Sequence, residues 1–272
     1  MLERLQANIM GVYTIWYRDV LRYIRDPSRI IGSLGMPLLF LFVFGTGISG
    51  AMSAIGTGGG GGAGGLDFRQ FVFPGIVAMS VMFTALFSAI SIVWDREFGF
   101  LKEVMVAPIS RLAVVFGKVL GGSTVAILQG TLVLVLSPIL GIKLGILQIL
   151  SLFGIMFLLA AMVTSLGILI AARQKSMEGF QMIMNFLMMP MFFLSGALFP
   201  IEGVPVWMKV LTTIAPISYG VDPMRAVALA GTVPQDALET MIRNPVFLNI
   251  SVMIGLAALF IVPAALLFSK RS

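Results

Sequence analysis

The sequence predicts an all-α integral membrane protein: six transmembrane helices with both termini cytoplasmic, an N-terminal amphipathic interfacial helix, and an outer re-entrant helical hairpin before the last span. Three observations predict it. Hydrophobic residues make up 58% of the chain and charged residues 11%, with mean hydropathy +1.03, where a soluble domain carries about 25% charged residues. Six apolar segments, 30–48, 71–93, 119–139, 146–171, 180–199 and 246–268, hold no charged residue. Each approaches or exceeds the roughly 20 residues that a hydrocarbon core requires. Sorted alternately, the connecting segments place 13 of the 18 Lys and Arg on one side and 5 on the other. By the positive-inside rule the richer side is cytoplasmic. Barrel strands would alternate over about 10 residues, unlike these runs.

The whole chain, 1–272, reads as one transmembrane domain. Residues 1–29 come first. Leu2, Leu5, Ile9, Val12, Trp16, Val20 and Ile24 recur at steps of three and four, the period of one helical face. Arg18, Arg22 and Arg25 lie away from most of that stripe, so a helix lying in the cytoplasmic interface and ended by Asp26-Pro27 is expected. Its acidic residues and the long run that follows argue against a cleavable signal. The outer segment 49–70 contains the Gly run GTGGGGGAGG, with no Lys to hold a phosphate. It reads as a flexible linker and not a nucleotide loop.

Residues 95–118, WDREFGFLKEVMVAPISRLAVVFGK from Trp94 onward, form a charged island expected to be a cytoplasmic loop. The outer segment 200–245 is apolar where loops are usually polar. Val206, Trp207, Val210, Leu211 and Ile214 mark one face of a short helix begun at Pro205. Pro216 interrupts it, and a second piece follows over 219–230. Backbone of this kind is tolerated at membrane depth only when packed against protein.

Candidate chemistry is sparse. The chain has neither Cys nor His, which removes thiols and the commonest general base and metal ligand. No catalytic constellation and no metal site is evident. Asp222 and Arg225, three apart, read as a local structural pair. With no ionisable residue in the spans, uphill transport would need energy from another polypeptide. The in-span polar residues, Thr124, Gln129 and Gln148 among them, are expected to hydrogen-bond between helices.

REFGFLKEVMVAPISR, 96–111, resembles the first cytoplasmic loop of ABC-2 type permeases, whose usual form is close to RE-x-G-T-L-E-x-L-x-x-x-P-I-S-R. PMFFLSGALFPIEGVPVWMKVLTTIAPISYGVDPMR, 190–225, resembles that family's passage from span five into its outer hairpin, closest in style to the daunorubicin-resistance drug-export permeases. The resemblance implies the membrane half of an ABC exporter in the bacterial cytoplasmic membrane. Two permease subunits, expected to be identical, would pair with two separate ATPase subunits, which use ATP and Mg. The permease itself would bind no cofactor and no nucleic acid. The resemblance also implies ATPase coupling through Arg96, Glu97, Gly99, Phe100, Leu101, Glu103, Pro108 and Arg111, with Phe100 where Thr is usual. The implied substrate path runs between the permease subunits along spans two and five. Its candidates there are Phe83, Phe87, Asn185, Met188, Met189 and Phe192. Met and Phe suit varied hydrophobic or amphipathic ligands. A polysaccharide or lipid-linked glycan exporter of the same fold is the alternative. A secondary transporter or channel, and a membrane-embedded enzyme using Glu202, Asp222 and Arg225, rank behind both.

Overall fold

The computed structural model describes residues 2–54, 68–98, 109–199 and 204–269. The chain runs through α1 (Leu2–Ile24) and α2 (Pro27–Leu39), then a π-helical turn (Phe40–Phe44) and α3 (Gly45–Ala54). Next come α4 (Phe68–Ser88), α5 (Ile90–Glu97), α6 (Arg111–Leu134) and a 3-10 turn (Ser137–Leu140). They are followed by α7 (Ile146–Ala171), α8 (Met177–Phe193), α9 (Val206–Ile214), α10 (Ser218–Leu229), α11 (Gln235–Met241) and α12 (Val246–Ser269). The Gly-rich run and Glu202 lie outside the described residues.

Among the described residues, five helical runs are long and apolar enough to cross a membrane: Pro27–Ile48, Phe68–Glu97, Arg111–Leu134, Ile146–Ala171 and Val246–Leu267. The expected fifth span, 180–199, is a shorter helix, α8, of 17 residues, about 25 Å long. Hydropathy overestimated it because the apolar run continues past the helix end. Gly196 takes φ 70°, a left-handed conformation that glycine adopts without steric cost. The Gly196 and Ala197 carbonyls then accept from Arg225, at 2.8 and 3.3 Å.

The run made by α4 and α5 is the centre of the bundle. Of its apolar window 78% is buried, against 17% for Val246–Leu267 at the periphery. It packs on α6, α7 and α10. The short helices α9 and α10 form as expected, separated at Ala215-Pro216. The apolar face of α9 (Val206, Trp207, Val210, Ile214) is exposed, and α10 is buried against α4, α7 and α12.

The spans are not free of charge. Asp95 belongs to α5 and Lys118 to α6, and both are buried, 8% and 7% exposed. The ends of the 95–118 island are therefore helical, and only its middle, 99–108, lies outside the described residues. Charge at these positions is tolerated because the two residues meet opposite charge, as described below.

Helix α1 packs along α6. A Cβ at Gly117 would lie 3.0 Å from Ile15 Cβ, and one at Gly121 would lie 3.0 Å from Asp19 Cβ. The two glycines thus admit α1 closely, and GxxxG here joins helices within one chain. Asn8, Gly11, Ile15, Asp19 and Tyr23 are the positions of α1 turned toward α6 and the 109–110 stem. Leu5 and Ile9, part of the expected apolar stripe, are instead exposed at 58% and 61%. The packed face lies beside the hydropathy stripe because polar side chains there find specific partners.

Candidate functional site

Helix α2 starts where the sequence supplies a cap. Asp26 accepts from Ser28 Oγ and from the Arg29 backbone N–H at 3.1 Å. These bonds hold the Asp26 carboxyl below its ordinary range. Pro27 occupies the first turn, where its missing N–H costs nothing. From there Arg29, Gly32, Ser33, Met36 and Phe40 fall at successive turns of one face. That face, with α4 and α8, encloses a cavity of about 880 Å³.

All six residues expected along the substrate path line this cavity: Phe83 and Phe87 from α4, with Asn185, Met188, Met189 and Phe192 from α8. Phe192 is 3% exposed and anchors the wall. Its ring lies 5.0 Å from Phe40, edge-on, and 6.3 Å from Phe83, within the range of favourable aromatic pairs. The sequence reading missed the contribution of α2. The signal was the four-residue recurrence of Gly32, Met36 and Phe40, one turn beyond Arg29. A smaller cavity of about 140 Å³ shares Tyr23, Arg29 and Ile90 with the chamber, and its lining adds the polar Asp19, Arg22, Asp26, Ser88 and Ser91 to Trp94, Gly122 and Val125.

Beside this vestibule lies an ion cluster joining α1, α5 and α6. Lys118 Nζ is 3.2 Å from Asp19 Oδ1, 3.3 Å from Asp95 Oδ2 and 2.9 Å from Ser91 Oγ. Arg18 donates to Asp95 at 2.7 Å. Two cations face two carboxylates, so the buried charges are balanced. Further along, Trp16 Nε1 donates to Thr124 Oγ1 at 3.0 Å and the Tyr23 hydroxyl to Gln129 Oε1 at 2.5 Å. Burial pushes the Tyr23 hydroxyl up, which keeps the donor protonated. Thr124 and Gln129 thus bond between helices, as does Gln148, which donates to the Val227 and Ala230 carbonyls.

Among the residues expected to couple to an ATPase, Arg96, Glu97 and Arg111 are described, whereas Gly99, Phe100, Leu101, Glu103 and Pro108 lie outside the described residues. Arg96 closes the C-terminal end of α7. Its guanidinium donates to the carbonyls of Ala171 (3.3 Å), Ala172 (3.1 Å) and Gln174, groups that a helix end leaves without intrahelical partners. Glu97 is exposed, and Arg111 opens α6 behind the N-cap Ser110. The Ser110 N–H donates to Asn8 of α1 at 2.6 Å, so α1 also holds the far stem of this loop.

On the other side of the bundle, Asp222 and Arg225 are buried, 2% and 1% exposed. Arg225 lies 4.1 Å over the Phe71 ring and donates to the two carbonyls that follow α8. Burial lowers its pKa to about 10, which leaves it charged at neutral pH. Burial pushes the Asp222 carboxyl up, opposed by Arg225, Arg243 and the backbone N–H groups of Arg243 and Asn244. Arg225 fastens α10 to the turn after α8, and Asp222 ties it to the backbone at 243–244.

These features define a multi-pass helical membrane protein, with an apolar chamber between three helices and a charged linkage at one end. The chain belongs to the ABC-2 type transporter family, whose model matches residues 10–229. It is 27% identical over 266 residues to "Nodulation protein J" of Rhizobium leguminosarum bv. viciae, covering 95% of this chain and 92% of that one. It is 28% identical over 219 residues to the "Putative transport permease ycf38" of Cyanophora paradoxa, covering 80% and 73%. To the "Probable multidrug ABC transporter permease YbhR" of Escherichia coli it is 29% identical over 166 residues, covering 60% and 45%.

Proposed function

We propose that the chain is the membrane-spanning permease subunit of an ATP-driven ABC exporter in a bacterial cytoplasmic membrane. In this reading it has six spans with both termini cytoplasmic, α8 being the fifth, and pairs with a second, identical permease. It moves hydrophobic or amphipathic compounds outward. Energy comes from two copies of a separate ATPase that use ATP and Mg and dock on the 96–111 loop. The observation that carries the reading is the chamber: about 880 Å³, walled by Met and Phe from three helices, is the size and character of a site for drug-sized apolar ligands. The name of the multidrug relative agrees with that ligand class.

The test is reconstitution of the chain with the ATPase encoded beside it. ATP turnover should respond to the permease, and Phe100→Asp or Leu101→Asp should abolish that response while the permease remains folded. Wild-type coupling in a well-folded loop variant would count against docking at 96–111.

A further inference from the structure

We infer that the chamber takes an amphipath with an anionic head, the head seated on Arg29 in the vestibule and the apolar body along Met36, Phe40, Phe87 and Met188. The inference rests on the chamber being the substrate path.

Charge selects the head. Among the described residues, Arg29 is the one formally charged residue lining the chamber, and it also lines the vestibule. The other charges there are engaged. Asp19 is paired with Lys118. Asp26 accepts from Ser28 and from a backbone N–H. Arg22 lies 5.1 Å over the Trp94 ring. Among the described residues the Arg29 guanidinium has no close ion pair or side-chain hydrogen bond, and its charge is felt only through space, at Asp26 and the Tyr23 hydroxyl. With Asp19 neutralised by Lys118, two guanidinium groups face the single carboxylate of Asp26 across a space of about 140 Å³. A cationic head would meet like charge. A neutral body sealing the chamber would strip water from Arg29 without replacing its hydrogen bonds, which is costly. A phosphate, sulfate or carboxylate would replace them, with two oxygens matching the guanidinium fork.

Shape selects the tail. Arg29 to Phe40 spans about 16 Å of helix, and every side chain of α2 that lines the chamber beyond Ser33 is apolar. The head therefore sits at the Arg29 end, with a medium-length apolar body extending toward Phe40 and Phe192. Asn185 supplies an amide donor and acceptor for a polar group along that body.

The test is scintillation-proximity binding of tritiated decyl phosphate to the full chain in phosphatidylcholine nanodiscs, with empty nanodiscs as the background. The competitors are unlabelled decyl phosphate, decyl maltoside, decyltrimethylammonium and inorganic phosphate. Decyl phosphate should compete about tenfold more tightly than the neutral and cationic probes, and inorganic phosphate should not compete in the same range. Arg29→Gln should weaken decyl phosphate about tenfold and leave decyl maltoside within about twofold, with Arg29→Lys recovering most of the loss. Equal competition by the three heads, or indifference of decyl phosphate to Arg29→Gln, overturns the inference.

Met189→Trp narrows the chamber at a residue already 58% exposed, and should weaken all three alkyl probes together. If it does so while the heads remain equivalent, the chamber reading survives and the anionic head falls. If no probe responds to it, the chamber itself falls as the binding site. Nanodiscs containing phosphatidylglycerol separate the two sources of anion: unchanged affinity assigns the site to the added amphipath. A rise of about tenfold in apparent Kd assigns it to bulk lipid and overturns the substrate reading.

Discussion

Replacing Lys118 by Met should destabilise the protein through two stranded carboxylates. In the native arrangement the ammonium lies 3.2 Å from Asp19 and 3.3 Å from Asp95. At an effective dielectric near 20 each contact has a gross attraction of about 5 kcal/mol, most of it offset by the desolvation of three buried groups. The net cost of removing one partner from a buried pair is about 3–5 kcal/mol. Arg18 remains at 2.7 Å from Asp95 and 3.8 Å from Asp19, and with 36% of its side chain exposed it can shift between them. That lowers the expected cost to about 2–4 kcal/mol. For a chain of this size the melting temperature should fall by about 5–10 °C. The assay is thermal loss of the monodisperse peak on size exclusion, for Lys118→Met, Asp95→Asn and the double variant. The double variant removes one cation and one anion and leaves Arg18 to pair with Asp19, so it should recover more than half of the loss. A melting temperature within about 1 °C of wild type for Lys118→Met, or a double variant worse than the two singles together, would refute the reasoning.

Other expectations follow from the same packing. The chain has no cysteine, so Ile15→Cys with Gly117→Cys gives a clean crosslinking pair. Its Cβ separation near 3.0 Å needs only a small adjustment to reach disulfide geometry. Oxidation should remove both sites from maleimide-PEG labelling, and persistent double labelling would place α1 elsewhere. Arg225→Leu leaves the buried Asp222 with Arg243 as its remaining cation and frees the Gly196 and Ala197 carbonyls. It should cost about 3–5 kcal/mol, read as lost folded yield, and Asp222→Asn in the same chain should restore part of it. Gly75→Ala would set a Cβ 2.5 Å from the Ala197 Cβ and 2.8 Å from its Cα. Overpacking of that kind should cost about 1–3 kcal/mol, read as a lower melting temperature. Single cysteines at positions 60 and 175 should react with an impermeant maleimide from outside and only after permeabilisation, respectively; the reverse pattern would overturn the orientation.

The helical class was legible because lipid demands long apolar runs, and the runs are read directly from hydropathy. The same signal carried the 180–199 segment beyond the helix, which stops at Phe193. Hydropathy cannot register that Gly196 turns left-handed or that a buried Arg225, distant in sequence, captures its carbonyl. The chamber was half legible. Phe and Met at helical spacing on α4 and α8 stood out, whereas Gly32, Ser33 and Arg29 on α2 are small or charged and carry no hydrophobic signal. The packed face of α1 was missed for a related reason. Its contacts are made by Asn8, Asp19 and Tyr23, polar residues whose partners come from about 100 positions away. Asp95 and Lys118 looked like solvated loop charges, because sequence alone does not show that the helices run on past the apolar boundary and bring the two together.

The Arg96 contacts bear on mechanics. A strut hinged only to the two helices it connects would let them splay under load. Here one foot of the 96–111 segment is bolted by Arg96 to the final carbonyls of a third helix. The other foot is tied at Ser110 to the N-terminal helix. Under the proposed docking of an ATPase on 96–111, a push there would be shared among the four helices that these contacts join. Loosening the bolt with Arg96→Gln would leave the parts intact and let the stroke dissipate locally.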